Sequence, residues 1–206
     1  MRLSISVAVL VLAIRSVLRA GVVSVGPFTG DNSENFNSFQ GGTGGHAMLD
    51  IFDGEATLVK GAAGSVKIEF SSSRGGDLVT PRSGPVFAGQ FDVMEWVFHR
   101  PIRQFGGYFE NNSRFDDVAV EFFDANDDLL GVASATAPHD AQAWTWNGWR
   151  FSTPVHRLTT AGNDIDFIQG FVWFDDMEIS YVPEGQWLGC GWWVVVIGWG
   201  FRKHDQ

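Results

Sequence analysis

The stretch VAVEFFDANDDLLGVASA, from Val118 to Ala135, contains two apolar alternating segments around a short polar connection. Val118–Phe123 and Leu129–Ala135 each have the period of two that is typical of β-strands. The intervening DANDD supplies aspartate and asparagine side chains that readily satisfy the backbone of a turn. Leu129 and Ala135 stand where an EF-hand loop has glycine and glutamate, so a plain turn is favoured over a metal loop. The stretch therefore predicts an antiparallel hairpin.

Similar short apolar segments, separated by Gly, Pro, Asn and Asp, continue on both sides of this hairpin. No window of helical length has a 3.6-residue apolar period with capping residues. A long mobile loop is expected only over Ser71–Gln90, which is rich in Gly, Ser and Pro. Many strands without an intervening helix predict an all-β fold, an antiparallel β-sandwich. The further candidate strands are Ala47–Phe52, Ala56–Lys60, Ser65–Ser71, Val93–His99, Phe105–Glu110, Trp144–Phe151, Val155–Thr160 and Phe167–Tyr181.

The composition fits such a domain and limits its partners. Of the 206 residues, 45% are hydrophobic, which is enough apolar material for a folded core. Between the two ends of the chain, residues 21–186 contain nine basic and 23 acidic residues, which gives a net charge near −14. No stretch clusters Lys or Arg as a phosphate-binding surface does, which argues against a nucleic-acid partner. The single cysteine, Cys190, lies near the C-terminus, so we expect no disulfide in the domain.

Residues 1–20 have the order of a secretory signal peptide. Arg2 precedes an apolar run, Leu3–Ile14, and small and polar residues follow up to Ala20. The apolar run is too short to span a bilayer as a stable helix. An amphipathic first helix is the alternative. We expect this segment to be removed on export, and residues 21–182 to form the β-sandwich domain.

Residues 183–206 have the features of a sorting segment. The letters VPE precede Trp187–Phe201, a run of 15 residues without a charge, and the basic pair Arg202-Lys203 follows. This order resembles the C-terminal PEP-CTERM signal of bacterial exported proteins, with Gly185 in place of the second proline. The resemblance implies recognition by exosortase-type sorting machinery and a membrane association that is transient and confined to this segment. The alternative is a last core strand, Trp192–Trp199.

The resemblance extends into the domain, over roughly Val93–Glu184. The segments that carry it are FGGYFENNSRFDDVAVEFFDANDDLLGVASATAP, WNGWRF, VHRLTTAGND and GFVWFDDMEISYVPE. In this order they resemble the β-sandwich ectodomain that is common in PEP-CTERM proteins. The resemblance implies a jelly-roll-like sandwich of the galactose-binding or carbohydrate-binding-module type, exported to the cell surface or the extracellular matrix. It carries no catalytic residues.

An acidic pair, Asp175-Asp176, interrupts the apolar run of the last predicted strand. Alternation places Asp175 on the same face as Met177, the predicted core face, and a β-bulge at the pair would exchange the two roles. A buried carboxylate needs a cation or several backbone donors. In calcium-binding jelly rolls the last strand meets an N-terminal segment, here GDNSENF, which offers Asp31 and Glu34. We therefore predict a calcium site formed by Asp31, Glu34, Asp175 and Asp176, with strand-end hydrogen bonding as the alternative.

Three tryptophans lie close together in the sequence. Trp144 and Trp146 share one face of a predicted strand, and Trp149 follows after Asn147-Gly148. An exposed indole offers a flat apolar surface to the C–H face of a sugar ring, whereas a buried one belongs to the core. We predict Trp144, Trp146 and Trp149 as ligand-binding residues for an extracellular polysaccharide.

The motifs of common hydrolases and zinc sites are absent from the sequence. There is no Gly-x-Ser-x-Gly, no histidine with aspartate three residues before it, and no His-x-x-x-His. The predicted function is therefore non-catalytic: an exported, glycan-binding component of the cell surface or matrix. The alternative is a small extracellular hydrolase with paired carboxylates, because the fold and not the sequence spacing sets their separation.

Overall fold

The computed structural model describes residues 21–42, 45–62, 64–73, 78–111, 117–139, 142–162 and 171–183. Apart from one short 3₁₀ turn, Phe52–Gly54, the regular structure in these ranges is β-strand. All of the strand pairs are antiparallel. The strands are β1 (Val22–Ser24), β2 (Asn32–Glu34), β3 (Met48–Ile51), β4 (Ala56–Lys60), β5 (Lys67–Glu69), β6 (Phe87–Phe91), β7 (Met94–Asn111), β8 (Asp117–Phe123), β9 (Leu129–Thr136), β10 (Thr145–Gly162) and β11 (Phe171–Tyr181).

The strands form two layers that share the two longest strands. The first layer has the order β3-β4-β7-β10-β8-β9 and contains the first half of β7 and the second half of β10. The second layer has the order β5-β6-β11-β7-β10-β1 and contains the other halves of both strands. Strand β2 pairs with the end of β11. This arrangement confirms the predicted antiparallel β-sandwich.

Both long strands cross from one layer to the other next to a proline. Strand β7 leaves β4 after Phe98 and pairs with β11 from Ile102 onward, so it changes layer around Pro101. Strand β10 changes layer around Pro154, where its register against β7 shifts. Proline has no backbone N–H to donate to a neighbouring strand, so pairing is readily interrupted at both points.

Aromatic side chains join the two layers. The ring of Trp96, in the first layer, has its centroid 5.1 Å from each of the rings of Phe105 and Phe174, in the second layer. Phe122 of the first layer lies 5.5 Å from Trp149 of the second. All five side chains are at most 3% exposed. Burial of a side chain of this size stabilises the fold by about 2 to 3 kcal/mol, so these rings contribute substantially to the packing between the layers.

The hairpin predicted from Val118–Phe123 and Leu129–Ala135 is present. Strand β8 pairs with β9 over its whole length. In the turn, Asp124 Oδ1 accepts the backbone N–H groups of Asn126 at 2.8 Å and Asp128 at 3.0 Å. These polar side chains close a hairpin, as the sequence indicates.

Most of the other predicted strands are present, but two pairs of them are merged. Val93–His99 and Phe105–Glu110 correspond to the two halves of β7, and Trp144–Phe151 and Val155–Thr160 to the two halves of β10. Strands β1, β2 and β6 were not predicted. The first two have only three residues each, too few to show an alternating pattern.

The segment Ser71–Gln90 differs from the mobile loop that its composition predicts. Its described part pairs Ser72 with Val79 and then enters β6. Val79 and Phe87 are fully buried and pack with Trp173 in a second small apolar cluster. This cluster lies on the face of β11 opposite the main core. A few apolar residues within a Gly-, Ser- and Pro-rich segment are therefore enough to fold it onto the sheet.

The predicted signal peptide, residues 1–20, lies outside the described residues. So does the predicted sorting segment from residue 184 onward. Within the described ranges, no helix is long and apolar enough to cross a bilayer.

Replacing Trp96 by alanine tests the role of the aromatic contacts between the layers. Trp96→Ala removes both ring contacts and the indole N–H donor to Thr160 Oγ1. We expect the free energy of unfolding, measured by urea denaturation, to fall by about 3 to 5 kcal/mol. The matched control is Val132→Ala, since Val132 is 60% exposed and its loss should change stability by less than about 0.5 kcal/mol. Equal effects of the two changes would contradict the assignment of Trp96 to the core.

Candidate functional site

Two glycines create a flat place on the outer face of the second layer. Gly106 in β7 and Gly148 in β10 are direct cross-strand partners. A Cβ on Gly106 would lie 2.6 Å from Cζ2 of the Trp146 indole, and one on Gly148 would lie 2.8 Å from its Nε1. Different parts of one indole thus occupy both places, so the ring lies across the two glycine backbones. Its N–H donates to the carbonyl of Val25 at 3.2 Å, which fixes the ring on the sheet.

Two further aromatic rings stand beside the indole. The ring of Tyr108 lies 5.4 Å from the Trp146 ring at an interplanar angle of 73°, and that of Phe28 lies 5.6 Å away at 88°. Both rings are therefore close to perpendicular to the indole. The indole forms the floor of a depression, and the other two rings form parts of its walls.

This depression, which we call the Trp146 groove, has a volume of about 280 Å³. Its lining combines the three aromatic rings with polar and charged side chains. Among its described lining residues are three carboxylates and one guanidinium, which together carry a net negative charge. The lining residues are Pro27, Phe28, Ser33, Glu34, Asn35, Arg82, Tyr108, Trp146, Asp176 and Glu178.

The Arg82 side chain is held at one edge of the groove by two contacts. Its guanidinium carbon lies 3.5 Å from the centroid of the Tyr108 ring, a cation–π contact. Its Nη1 donates to the Asp176 carboxylate, which also accepts the Ser83 hydroxyl at 2.5 Å. The Arg82 side chain remains 37% exposed. Arg82 is thus positioned by neighbours and still able to meet a ligand.

The acidic pair lies at a β-bulge in β11. Asp175 faces Tyr108 and Glu178 faces Gly106, so the three steps from 175 to 178 oppose two steps on β7. Asp176 has a φ of 47°, in the left-handed region that aspartate tolerates. The bulge corrects the predicted facing: Met177 points to the core as expected, whereas Asp175 lies on the opposite face, with the second apolar cluster.

The carboxylate of Asp175 holds the neighbouring loop onto the sheet. Its Oδ2 accepts the backbone N–H groups of Arg82 at 2.8 Å and Ser83 at 3.0 Å, and its Oδ1 accepts the N–H of Asp176 at 2.9 Å. We call residues 78–86 the Arg82 loop. Asp175 is fully buried, and burial, with a smaller contribution from the Asp176 charge, raises its pKa to about 7.

The four predicted calcium residues are divided by the structure. Glu34 and Asp176 both line the Trp146 groove, whereas Asp175 lies beneath the Arg82 loop. Asp31 accepts the backbone N–H of Tyr181 at 2.8 Å, near the other end of β11. The Glu34 carboxylate accepts two backbone N–H groups, at 2.7 and 2.9 Å. Backbone donors are the alternative that the sequence left open for a buried acid, and they are what Asp175 has. Among the described residues, no three or more His, Cys, Asp or Glu are grouped to hold a metal ion, so calcium stays a prediction.

The three predicted tryptophans have different environments. Trp146 forms the groove floor. Trp149 is 3% exposed and stacks on Phe105 in the main core, with centroids 6.3 Å apart and an interplanar angle of 11°. Because Trp149 lies on the opposite face of the strand from Trp146, it cannot reach a ligand in the groove, and its predicted binding role is corrected.

Trp144 lines a second depression on the same outer face. Its indole N–H donates to the carbonyl of Thr80 at 3.0 Å, and its ring packs against Phe87, with centroids 5.8 Å apart. We call this depression, of about 300 Å³, the Trp144 cavity. Its lining residues are Thr80, Pro81, Arg82, Gln142 and Trp144.

Glu110 is a buried acid that the sequence analysis did not select. Its Oε1 accepts the backbone N–H of Gln142 at 2.8 Å, and its Oε2 has no hydrogen-bond partner among the described residues. The side chain is fully buried, and this burial raises its pKa to about 7. Glu110 is the cross-strand partner of Trp173 on β11, and Asp175 lies two residues further along that strand. Two acids with raised pKa values are therefore near each other beneath the outer surface. Neither Glu110 nor Asp175 lines the two depressions.

Comparisons with known proteins give structural likenesses only. Neither a protein family nor a curated protein matches the sequence. The K2 cleaved adhesin domain of Lys-gingipain has 13% identity and a TM-score of 0.46, with 71% of this chain and 97% of that chain covered. The CBM22-1 xylan-binding domain of Paenibacillus barcinonensis Xyn10C has 13% identity and a TM-score of 0.44, with 77% and 100% covered. TmCBM61, solved with β-1,4-galactotriose, has 8% identity and a TM-score of 0.37, with 62% and 88% covered. Likenesses at this level do not establish a shared family or ligand.

The two buried acids predict a stability that falls as the pH rises. Their folded-state pKa values of about 7 lie above the ordinary values of 3.8 for Asp and 4.5 for Glu. Between these limits the folded protein binds more protons than the unfolded chain, so this contribution is complete below about pH 4 and is lost by about pH 7. Glu110→Gln keeps the acceptor for Gln142 and removes the titration. We expect it to reduce the pH dependence of the unfolding free energy between pH 5 and 7 by up to about 1.4 kcal/mol per pH unit.

The matched control for this series is Asp117→Asn, because Asp117 is exposed on β8. It should leave the wild-type pH dependence unchanged, and an unchanged slope in Glu110→Gln would contradict the raised pKa.

Melts of the same wild-type protein with millimolar calcium and with a chelator test the calcium prediction. A higher midpoint with calcium would support that site, and equal midpoints would eliminate it.

Proposed function

We propose that this protein binds neutral glycans in the Trp146 groove. The observation that carries the proposal is the indole of Trp146, which lies across Gly106 and Gly148 with perpendicular aromatic rings beside it. A planar indole matches the C–H face of a pyranose ring. Because the ring is fixed by the sheet and by Val25, a sugar could stack on it without ordering it first, which lowers the entropic cost of binding.

Polar groups around the floor are suited to sugar hydroxyls. Ser33 and Asn35 offer neutral donors and acceptors at the groove edge. Glu178 accepts the Gly30 N–H with Oε2 at 2.8 Å, and Asp176 is held by Arg82 and Ser83, so both carboxylates have fixed positions. A hydroxyl that donates to a carboxylate forms a charge-assisted hydrogen bond, which is stronger than a neutral one.

The charge of the groove limits the class of glycan. Among the described residues of the lining, the carboxylates of Glu34, Asp176 and Glu178 are accompanied by one cation, Arg82. The chain between its two ends is also strongly acidic, near −14. Uronate-rich or sulfated polysaccharides would be repelled by this field, whereas uncharged polysaccharides would not. Neutral glycans are therefore the proposed ligands.

The rival function, hydrolysis by paired carboxylates, is less well supported by the geometry. The two acids with raised pKa, Glu110 and Asp175, are fully buried and lie outside the lining of both depressions. A general acid must come within hydrogen-bond distance of the glycosidic oxygen. The groove carboxylates, by contrast, already accept hydrogen bonds that hold loops in place. The proposal is accordingly a non-catalytic binding domain.

Removing the groove floor tests glycan binding. We expect wild-type protein to bind at least one neutral polysaccharide, such as a β-glucan, xylan, mannan or galactan, in affinity electrophoresis, and not to bind polygalacturonate. Trp146→Ala should weaken that binding at least about tenfold, and Trp146→Phe should weaken it less, since a smaller ring keeps part of the stacking surface. The control is Phe70→Ala, an aromatic that is 57% exposed and lies outside the groove. Equal binding by all four proteins would eliminate the groove as the site.

Export to the cell surface is the second part of the proposal. The signal-peptide order of residues 1–20 and the PEP-CTERM-like order of residues 183–206 support it, with exosortase-type machinery as the processing partner. N-terminal sequencing of protein from the producing cells should give a start near Gly21. Deletion of residues 187–206 should release a folded protein into the medium. A retained Met1, or an insoluble truncated protein, would contradict this part of the proposal without affecting glycan binding.

A further inference from the structure

The Trp146 groove and the Trp144 cavity meet at one side chain. Arg82 lines both, and it is the one described residue that their linings share. The two volumes, about 280 and 300 Å³, are similar. A ligand that fills the groove and continues past Arg82 would therefore enter a second depression of comparable size.

The tryptophans of the two depressions come from the same stretch of chain. Trp146 lies in β10 and Trp144 directly precedes it, so the two indoles are two residues apart and share the outer face. Two residues of extended chain separate their Cα atoms by about 6.6 Å. Each depression therefore has one indole from this stretch of chain in its lining, and Arg82 lies in both linings.

Arg82, between them, is built as a fixed donor. Asp175 accepts its backbone N–H, Asp176 accepts from Nη1, and the Tyr108 ring supports its guanidinium. A guanidinium has five N–H donors, and the contact with Asp176 uses Nη1 alone. The remaining donors, on a side chain that is 37% exposed, are available to a ligand that passes from one depression to the other.

We propose that the ligand is an internal segment of a linear glycan, which runs from the Trp146 groove over Arg82 into the Trp144 cavity. This inference rests on the proposed function and adds to it the form of the ligand. A chain end or a single sugar would fill one depression, whereas a longer segment would use both and would receive hydrogen bonds from Arg82 at their junction. Affinity should consequently increase with chain length until both depressions are occupied.

The test is isothermal titration calorimetry, which measures the affinity of the full-length protein for cello-, xylo- and manno-oligosaccharides from disaccharide to hexasaccharide. For the series that binds, we expect the hexasaccharide to bind at least about tenfold more tightly than the disaccharide. Trp144→Ala should reduce this ratio. Because Trp144 also packs on Phe87, Gln142→Ala provides a second variant: its side chain is exposed, and its backbone N–H to Glu110 is retained. Phe70→Ala, outside both depressions, should keep the wild-type ratio.

Each outcome has a separate meaning for the two proposals. A length ratio that falls in Trp144→Ala and in Gln142→Ala supports the extended site. Disaccharide and hexasaccharide affinities that are equal, yet both lost in Trp146→Ala, would overturn the extended site and leave the proposed function standing. A length ratio unchanged in folded Gln142→Ala and Trp144→Ala would likewise overturn it. Absence of binding by every series, together with absence of binding to every neutral polysaccharide in affinity electrophoresis, would overturn both.

Discussion

The outer surface of the second layer depends on one buried carboxylate. Asp175 is fully buried, and without partners its burial would destabilise the fold by several kcal/mol. Three backbone N–H groups offset part of that cost, although burial still raises the pKa of Asp175, and two of these groups belong to Arg82 and Ser83. The interaction is therefore reciprocal: the loop solvates the acid, and the acid orders the loop. Because Arg82 separates the two depressions, their shape follows from this contact.

The glycine pair acts in the opposite way, by leaving space. Strands β7 and β10 could carry side chains at positions 106 and 148, but any Cβ there would lie within 3 Å of the Trp146 indole. Glycine usually weakens a strand interior. Here the Trp146 ring, from β10, covers the exposed backbone of both glycines, so packing with the indole replaces the missing side chains. The sheet thereby gains a flat aromatic surface at a place where ordinary alternation would put two separate side chains.

The sequence could predict the parts of this fold that have local causes. The hairpin of β8 and β9 follows from alternation and turn residues, and the pair Asp175-Asp176 was identified as a bulge or a site that needs donors. The identity of those donors was not predictable, because they are backbone groups of a loop that lies 93 residues earlier in the chain. Long separations in the sequence also explain why Arg82 and Phe28 were not predicted as site residues, since each contacts a groove residue far along the chain. The facing of Trp149, in contrast, could have been read from strict alternation, since three positions separate it from Trp146.

The arrangement of charge supports the proposed glycan binding over the alternative, hydrolysis, for a physical reason. Hydrolysis of a glycosidic bond needs an acid whose proton is available at the bond and a second carboxylate free to attack or to activate water. Among the described residues, the acids whose pKa is raised to about 7 lie under the surface, and the acids that line the Trp146 groove are held by backbone N–H groups, a hydroxyl and an arginine. Such groups are fixed hydrogen-bond acceptors. Fixed acceptors around a rigid aromatic floor reduce the entropy lost on binding, as the proposed recognition of a glycan requires.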